Sequence, residues 1–159
     1  MVDSTADGRI RIFSVVSIAS IAAPTAAELN AGVDLTNFIP PGGLTGFQAE
    51  TESVDNTKIN SVFNTALPGR VSLGGPRIRF IKQIGSDAVW NLFTYGFVTN
   101  IVIRQDYTYA TAWTAAQPCR VYPITAGEFS EVDTAPNEMH SWEIQVFPST
   151  AFNQRAVVA

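Results

Sequence analysis

The sequence predicts a mainly β protein, a β-sandwich or barrel with one α-helix packed over the sheet and a second, shorter helix. Three observations predict it. Met139–Phe147 alternates cleanly, with His140, Trp142, Ile144 and Val146 on one face and Ser141, Glu143 and Gln145 on the other. That is the period of a strand with one covered face. Phe97–Arg104 is apolar on both faces, Thr99, Ile101 and Ile103 on one and Val98, Asn100 and Val102 on the other. Such a strand needs cover on both sides and belongs inside a layered structure. Helix punctuation is confined to two short stretches, Pro24–Gly32 and Ala88–Thr94.

The remaining elements follow in chain order. Residues 1–8 are polar and read as a flexible N-terminus. Arg9–Ile21 reads as a long strand whose outer face turns from charged to apolar midway. The run Ile10–Ala23 has arginines ahead of it and small residues behind, as a signal peptide does. Asp3 and Asp7 precede those arginines, and Ser14, Ser17 and Ser20 interrupt the run, so the strand reading is preferred. In Pro24–Gly32, Thr25 and Glu28 form a T-x-x-E capping box and Gly32 supplies a left-handed stop. Leu44–Val54 is a moderately polar edge strand. Residues 55–76 lose periodicity and read as a long loop that packs on its own domain or on another subunit, because they carry Ile59, Val62, Phe63 and Leu67. Arg77–Gln83 alternates as a strand with Ile78 and Phe80 inward. Ser86 or Asp87 opens the second helix, whose Val89, Leu92 and Phe93 form one apolar stripe, and Gly96 ends it. A strand at Gln117–Ile124 follows a small-residue connection anchored by Trp113, and Thr125–Glu138 is a polar connection. Residues 153–159 are a last strand, or a tail pairing with another chain.

Composition narrows the function. At 159 residues the chain is one domain, 1–159, and buries about 70% of its unfolded surface. Charged residues are only 15% of it, against roughly 25% in soluble proteins, as suits a subunit buried in an assembly. The net charge of −4 argues against a protein that grips phosphates. The pairs Arg9/Arg11 and Arg77/Arg79 have strand spacing and read as solvated or salt-bridged faces. The one cysteine, Cys119, excludes an internal disulfide and reads as a small buried hydrophobe. With His140 the only histidine, no metal-ligand set is recognisable. No run reaches the ~20 apolar residues of a membrane span.

Several segments resemble a family. Ala22–Asn37, AAPTAAELNAGVDLTN, is similar to a recurrent N-terminal segment of the major tail tube proteins of long-tailed, non-contractile phages, especially those of actinobacteria. Asp87–Arg104 resembles their helix-turn-strand segment, Ala112–Glu128 the following turn and strand, and Met139–Val158 the closing strand and tail. The order and spacing carry the likeness over about four-fifths of the chain; residues 44–83 show no such match, and no immunoglobulin-like C-terminal domain is appended. The resemblance implies a non-enzymatic virion protein, made in the host cytoplasm, without cofactor or metal. It implies six-membered rings stacked into a tube around a tape-measure protein, joined to tail terminator and distal tail proteins, through which DNA passes without sequence-specific binding. Ile59, Val62, Phe63, Leu67 and Trp113 are the expected subunit or ring contacts. The alternative is a carbohydrate-binding sandwich with Trp90, Trp113, Trp142 and Tyr107 as a stacking platform. An enzyme reading would pair carboxylates among Glu50, Glu52, Asp55, Glu128, Glu131 and Asp133, with no nucleophile and base suggested beside them.

Overall fold

The structure, a computed structural model, describes residues 7–159. Among the described residues ten strands are present: β1 (Arg11–Val15), β2 (Val33–Asp34), β3 (Leu44–Thr45), β4 (Ala49–Asp55), β5 (Ala66–Leu73), β6 (Arg77–Ile81), β7 (Val98–Arg104), β8 (Pro118–Val132), β9 (Ser141–Pro148) and β10 (Asn153–Val157). Two helices, α1 (Ala26–Asn30) and α2 (Ala88–Leu92), and a 3-10 turn at Thr36–Phe38 complete it. One antiparallel sheet runs β2-β1-β7-β8-β9-β6-β3, with β10 also on β8; β4 and β5 form a sheet of their own.

Strand β8 joins the two halves of the large sheet. Its first part pairs with β7 and β10, and its second part pairs with β9. β9 takes over from Ile124 onward, and its pairing with β8 shifts register at a bulge between Ala126 and Phe129; a bulge bends its strand. Gly127 lies there because a Cβ would sit 2.9 Å from the Gln145 carbonyl oxygen. The sheet thus curls around the main core. Ile12, Ile78, Phe80, Ile101, Tyr122, Ile124, Trp142 and Ile144 all point into it, and α2 closes it with Val89 and Phe93. Phe80 meets Phe93 at 5.2 Å and Trp142 at 4.6 Å between ring centroids, the separations of favourable aromatic pairs.

A second core lies on the opposite face of β1, β7 and the start of β8. It holds Phe13, Val15, Val102, Cys119 and Val121, covered by Leu29 of α1, by Trp113 and by Ala156 and Val158. The expectation that Phe97–Arg104 needs cover on both faces is met by these two cores: Ile101 and Ile103 enter one, Val102 the other.

Helix α1 carries the expected capping box: Thr25 Oγ1 accepts from Glu28 N at 3.2 Å, and Thr25 N donates to Glu28 Oε2 at 2.8 Å. Other boundaries are corrected. β1 stops at Val15, not Ile21, because the serine-rich continuation turns across α1, where Ala19 N donates to Glu28 Oε1. Gly32 does not stop α1 in a left-handed conformation; Ala31 caps it with φ −79°. Gly32 instead allows close approach, since a Cβ would meet Val15 Cγ2 at 2.7 Å. Helix α2 ends at Leu92, with Gly96 (φ 80°) in the turn beyond. The Leu44–Val54 strand is split by Gly46 at φ 72°, whose α-carbon packs against Gly75. The polar Thr125–Val132 stretch continues β8 rather than forming a connection.

The long loop expected over 55–76 is mostly a hairpin. β5 spans Ala66–Leu73 and pairs with β4 from Ala49↔Leu73 to Asp55↔Ala66. Pro68 lies where the register shifts between Thr51 and Ser53, a place that tolerates a residue without an N–H. The 153–159 segment includes strand β10, paired to β8 of its own chain. Of the expected flexible N-terminus, residues 1–6 lie outside the described residues; Gly8 accepts a hydrogen bond from Tyr109 N at 2.8 Å.

Candidate functional site

Among the described residues the fold leaves two strand-built surfaces without cover. The first is the β4–β5 hairpin. From Ala49 to Ser72 every residue except Thr57 and Gly69 is exposed. Its ten-residue end loop is tied across the neck: Thr65 N donates to Thr57 Oγ1 at 2.9 Å, and Thr57 N to Asp55 Oδ1 at 2.8 Å. The Thr57 side chain and backbone hydrogen bonds hold the Asp55 carboxyl below its usual range. At the tip, Ser61 Oγ donates to the Phe63 carbonyl at 2.7 Å. This ordered tip presents Ile59 and Val62 fully exposed, Phe63 at 74% and Leu67 at 54%, with Val54 and Val71 along the strands. Four of the five expected contact residues are therefore brought together on one projecting element.

Trp113, the fifth, is corrected. It is 2% exposed and packs edge-on against Phe13 at 5.7 Å. It cannot be a subunit contact in this conformation, because its ring fills the second core. A lone Trp among small residues signalled an anchor; the sequence did not say to which side.

The second surface is the face of β6, β8 and β9 that looks away from the main core. Alternate residues there point outward: Arg77 and Arg79 on β6, Glu143, Gln145 and Phe147 on β9, and Ser130 opposite Glu143 on β8. Glu143 bridges both arginines, at 2.9 Å to Arg77 Nη1 and 3.7 Å to Arg79 Nη2. The expected salt-bridged reading of this pair holds, and Arg11 likewise faces Asp34 at 3.7 Å.

Features that suit chemistry or ligand stacking are scattered. Trp142 is 1% exposed, Trp113 is buried and Trp90 lies half-buried over Phe129 and Trp142. The three tryptophans form no platform. A groove of about 780 Å³ lies at the open end of the main core, lined by Ile12, Ile39, Phe47 and Tyr122 among others. Glu50, Glu52 and Asp55 stand on the exposed hairpin, and Glu128, Glu131 and Asp133 at the far end of β8. Among the described residues no three His, Cys, Asp or Glu gather as a metal site, and no helix is long and apolar enough to cross a membrane. Burial pushes the Cys119 thiol up to about 11, so it is a poor nucleophile at neutral pH.

A family model described as phage tail tube protein matches residues 1–159, the whole chain. The chain belongs to the phage tail tube protein family. It is thus a structural, non-enzymatic component of a phage tail. Solved structures share the fold of this tail tube protein. One is described as the baseplate of the anti-feeding prophage, 6-fold symmetrised, with TM-score 0.64, 10% identity and 96% of each chain covered. Another is the tube-terminating cap of the anti-feeding prophage, with TM-score 0.55, 11% identity, 98% of this chain and 91% of the other covered. No curated protein matches the sequence.

Proposed function

We propose that this tail tube protein assembles into six-membered rings that stack into a tube, and that the β4–β5 hairpin makes the contact from ring to ring through Ile59, Val62, Phe63 and Leu67. The observation that carries the reading is the bareness of that hairpin. An isolated two-stranded hairpin is marginal in water, and exposed strand edges are templates for pairing with another chain. Here a seven-residue and an eight-residue strand, joined to the core by Leu73 at the base, carry an exposed apolar tip. A second protomer would supply the missing cover. A patch on one copy that fits a different patch on the next gives a heterologous contact, which propagates into a stack.

The ring number draws on the six-fold symmetry stated for the anti-feeding prophage baseplate, whose fold this chain shares. In this reading the protein assembles in the host cytoplasm around a tape-measure protein. A tail terminator and distal tail proteins bound the tube, and the finished bore conducts DNA. Serine at both Phe63 and Leu67 tests the hairpin's part. Tubes should be lost while thermal stability changes by no more than about 0.5 kcal/mol, as for exposed positions. Tubes of normal length from that double variant would refute the assignment.

A further inference from the structure

The β4–β5 hairpin joins the body of the protein through two short linkers, Gly46-Phe47-Gln48 on one chain and Gly74-Gly75-Pro76 on the other. Resting on the stacking reading above, we propose that the glycines of these linkers form a hinge: the hairpin swings as a folded arm in the free protomer and is fixed in one position when it docks. The hairpin and the large sheet share no strand. Among the described residues, no hydrogen bond or ion pair joins residues 49–73 to the large sheet or to either helix. Apolar contact at the base holds the arm instead. Leu73 and Phe47 pack on the main core, and Phe47 meets Tyr122 edge-on at 5.1 Å.

Three of the six linker residues are glycine, the residue with the widest choice of backbone angles. Gly46 and Gly75 both sit at φ 72°. The two chains cross at this point, and a Cβ on Gly46 would run into the Gly75 carbonyl. Bare backbone therefore meets bare backbone, with no side chains to interlock. One backbone hydrogen bond spans the crossing, from Gly74 N to the Gln48 carbonyl, and at 3.4 Å it is long for an amide pair. Fixed residues bound the joint on the body side. Thr45 pairs with Arg77 in the sheet, and the carbonyl of buried Pro76 accepts from Val146 N at 3.0 Å. On the far side, β4 and β5 pair from Ala49↔Leu73 to Asp55↔Ala66, and Thr57 ties the neck to Thr65. Rotation is thus concentrated at Gly46 and Gly74-Gly75, as hinges take up motion in a few residues at the ends of elements. A seven-residue strand is about 23 Å long at ~3.3 Å per residue, so a small turn at the base moves Ile59, Val62 and Phe63 a long way. Docking removes that freedom, and lost freedom opposes association. The hinge sets a cost on stacking that the apolar tip has to exceed.

Distance measurements between paired spin labels on the full-length protein test the hinge. Labels at Asn64→Cys and Arg155→Cys report the tip against the body, and labels at Asn64→Cys and Ser72→Cys report the arm alone. All three positions are exposed, and Cys119 is buried. In dilute free protomers the tip-to-body distribution should be about threefold wider than the within-arm one. In tubes diluted with unlabelled protein it should narrow to the within-arm width. Gly74→Ala with Gly75→Asn keeps the observed backbone, because Gly75 has open space, asparagine tolerates a positive φ, and only the Glu50 carboxylate end lies close to a new Cβ at Gly74. That variant should lose about half of the free-protomer width, since its backbone has fewer conformations open to it. A free-protomer tip-to-body distribution as narrow as the within-arm one overturns the hinge. So does a within-arm distribution as wide as the tip-to-body one, which would mean that the arm unfolds rather than swings. An unchanged width in the glycine variant removes the pivot from these residues, and a tube distribution as wide as the free one overturns fixing on docking. The first three results come from free protomers, so they leave ring stacking by the hairpin to the Phe63 and Leu67 double variant. Tubes that persist in that double variant would in turn leave the free-protomer swing standing.

Discussion

Arg104 is fully buried, and its donors reach no carboxylate among the described residues. Nη1 donates to the Ala112 carbonyl at 3.1 Å and to Gln117 Oε1 at 2.9 Å, and Nη2 to the carbonyls of Thr108 at 3.2 Å and Thr111 at 2.7 Å. The guanidinium lies over Trp113 at 4.9 Å and Tyr107 at 5.5 Å. One cation thus pins the whole connection between β7 and β8, and burial lowers its pKa. Arg11 adds a second clamp at the same Thr111 carbonyl, 2.6 Å away. An ammonium cannot reach that planar fork, so Arg104→Lys should cost about 2–4 kcal/mol by leaving buried carbonyls unpaired. Urea unfolding reads the loss directly. A midpoint equal to the parent's would mean the connection is held by something else.

Cys119 gives a prediction with a definite sign. Its unfolded thiol ionises near 9.0 and its folded thiol near 11, the shift coming from burial. Between those values the unfolded state sheds a proton that the folded state keeps, so stability should fall as pH rises from about 9 to about 11. Below that window the thiol contributes full stability. Cys119→Ala should lose this alkaline slope in thermal melts. An unchanged slope would assign it to other groups.

At the scale of elements, β8 has the most demanding job, serving two halves of the sheet through one bulge. Gly127→Val would drive a branched side chain toward the Gln145 carbonyl and the Phe147 ring, 2.9 and 3.1 Å from the new Cβ. A loss of about 1–3 kcal/mol is expected, as for overpacking in tight sites. Calorimetry that showed no change would mean the β8–β9 bend has room to spare. The legible elements were those whose local rules agree with their surroundings. β9 alternates because one face is core and the other is bare. Helix α1 was readable because Thr25 and Glu28 satisfy each other within four residues. The β4–β5 hairpin was not, because both its faces are exposed and Pro68-Gly69 and a bulge interrupt it. With no buried face there is no period to read. The second half of β8 failed similarly: it runs out to the sheet's rim, where Glu128, Ser130 and Glu131 are exposed. The exposed apolar residues of the hairpin were still picked out, since unexplained apolar side chains show in a sequence even when their strand does not. Which face Trp113 served was set by Phe13 and Arg104, far away in sequence.

For the whole molecule, the proportions of the protomer point to an assembly. Its two cores are satisfied within one chain, yet a hairpin with an apolar tip and a broad sheet face stay uncovered. The low charge, 15% of residues, fits a surface that meets copies of itself. The family places the protein in a phage tail, and in the proposed account the bare hairpin is the means of stacking. The most direct measurement is electron microscopy of the purified protein at high concentration. The account predicts rings and open tubes with six-fold symmetry in end views. Monodisperse monomers at every concentration, with and without other tail proteins, would contradict it.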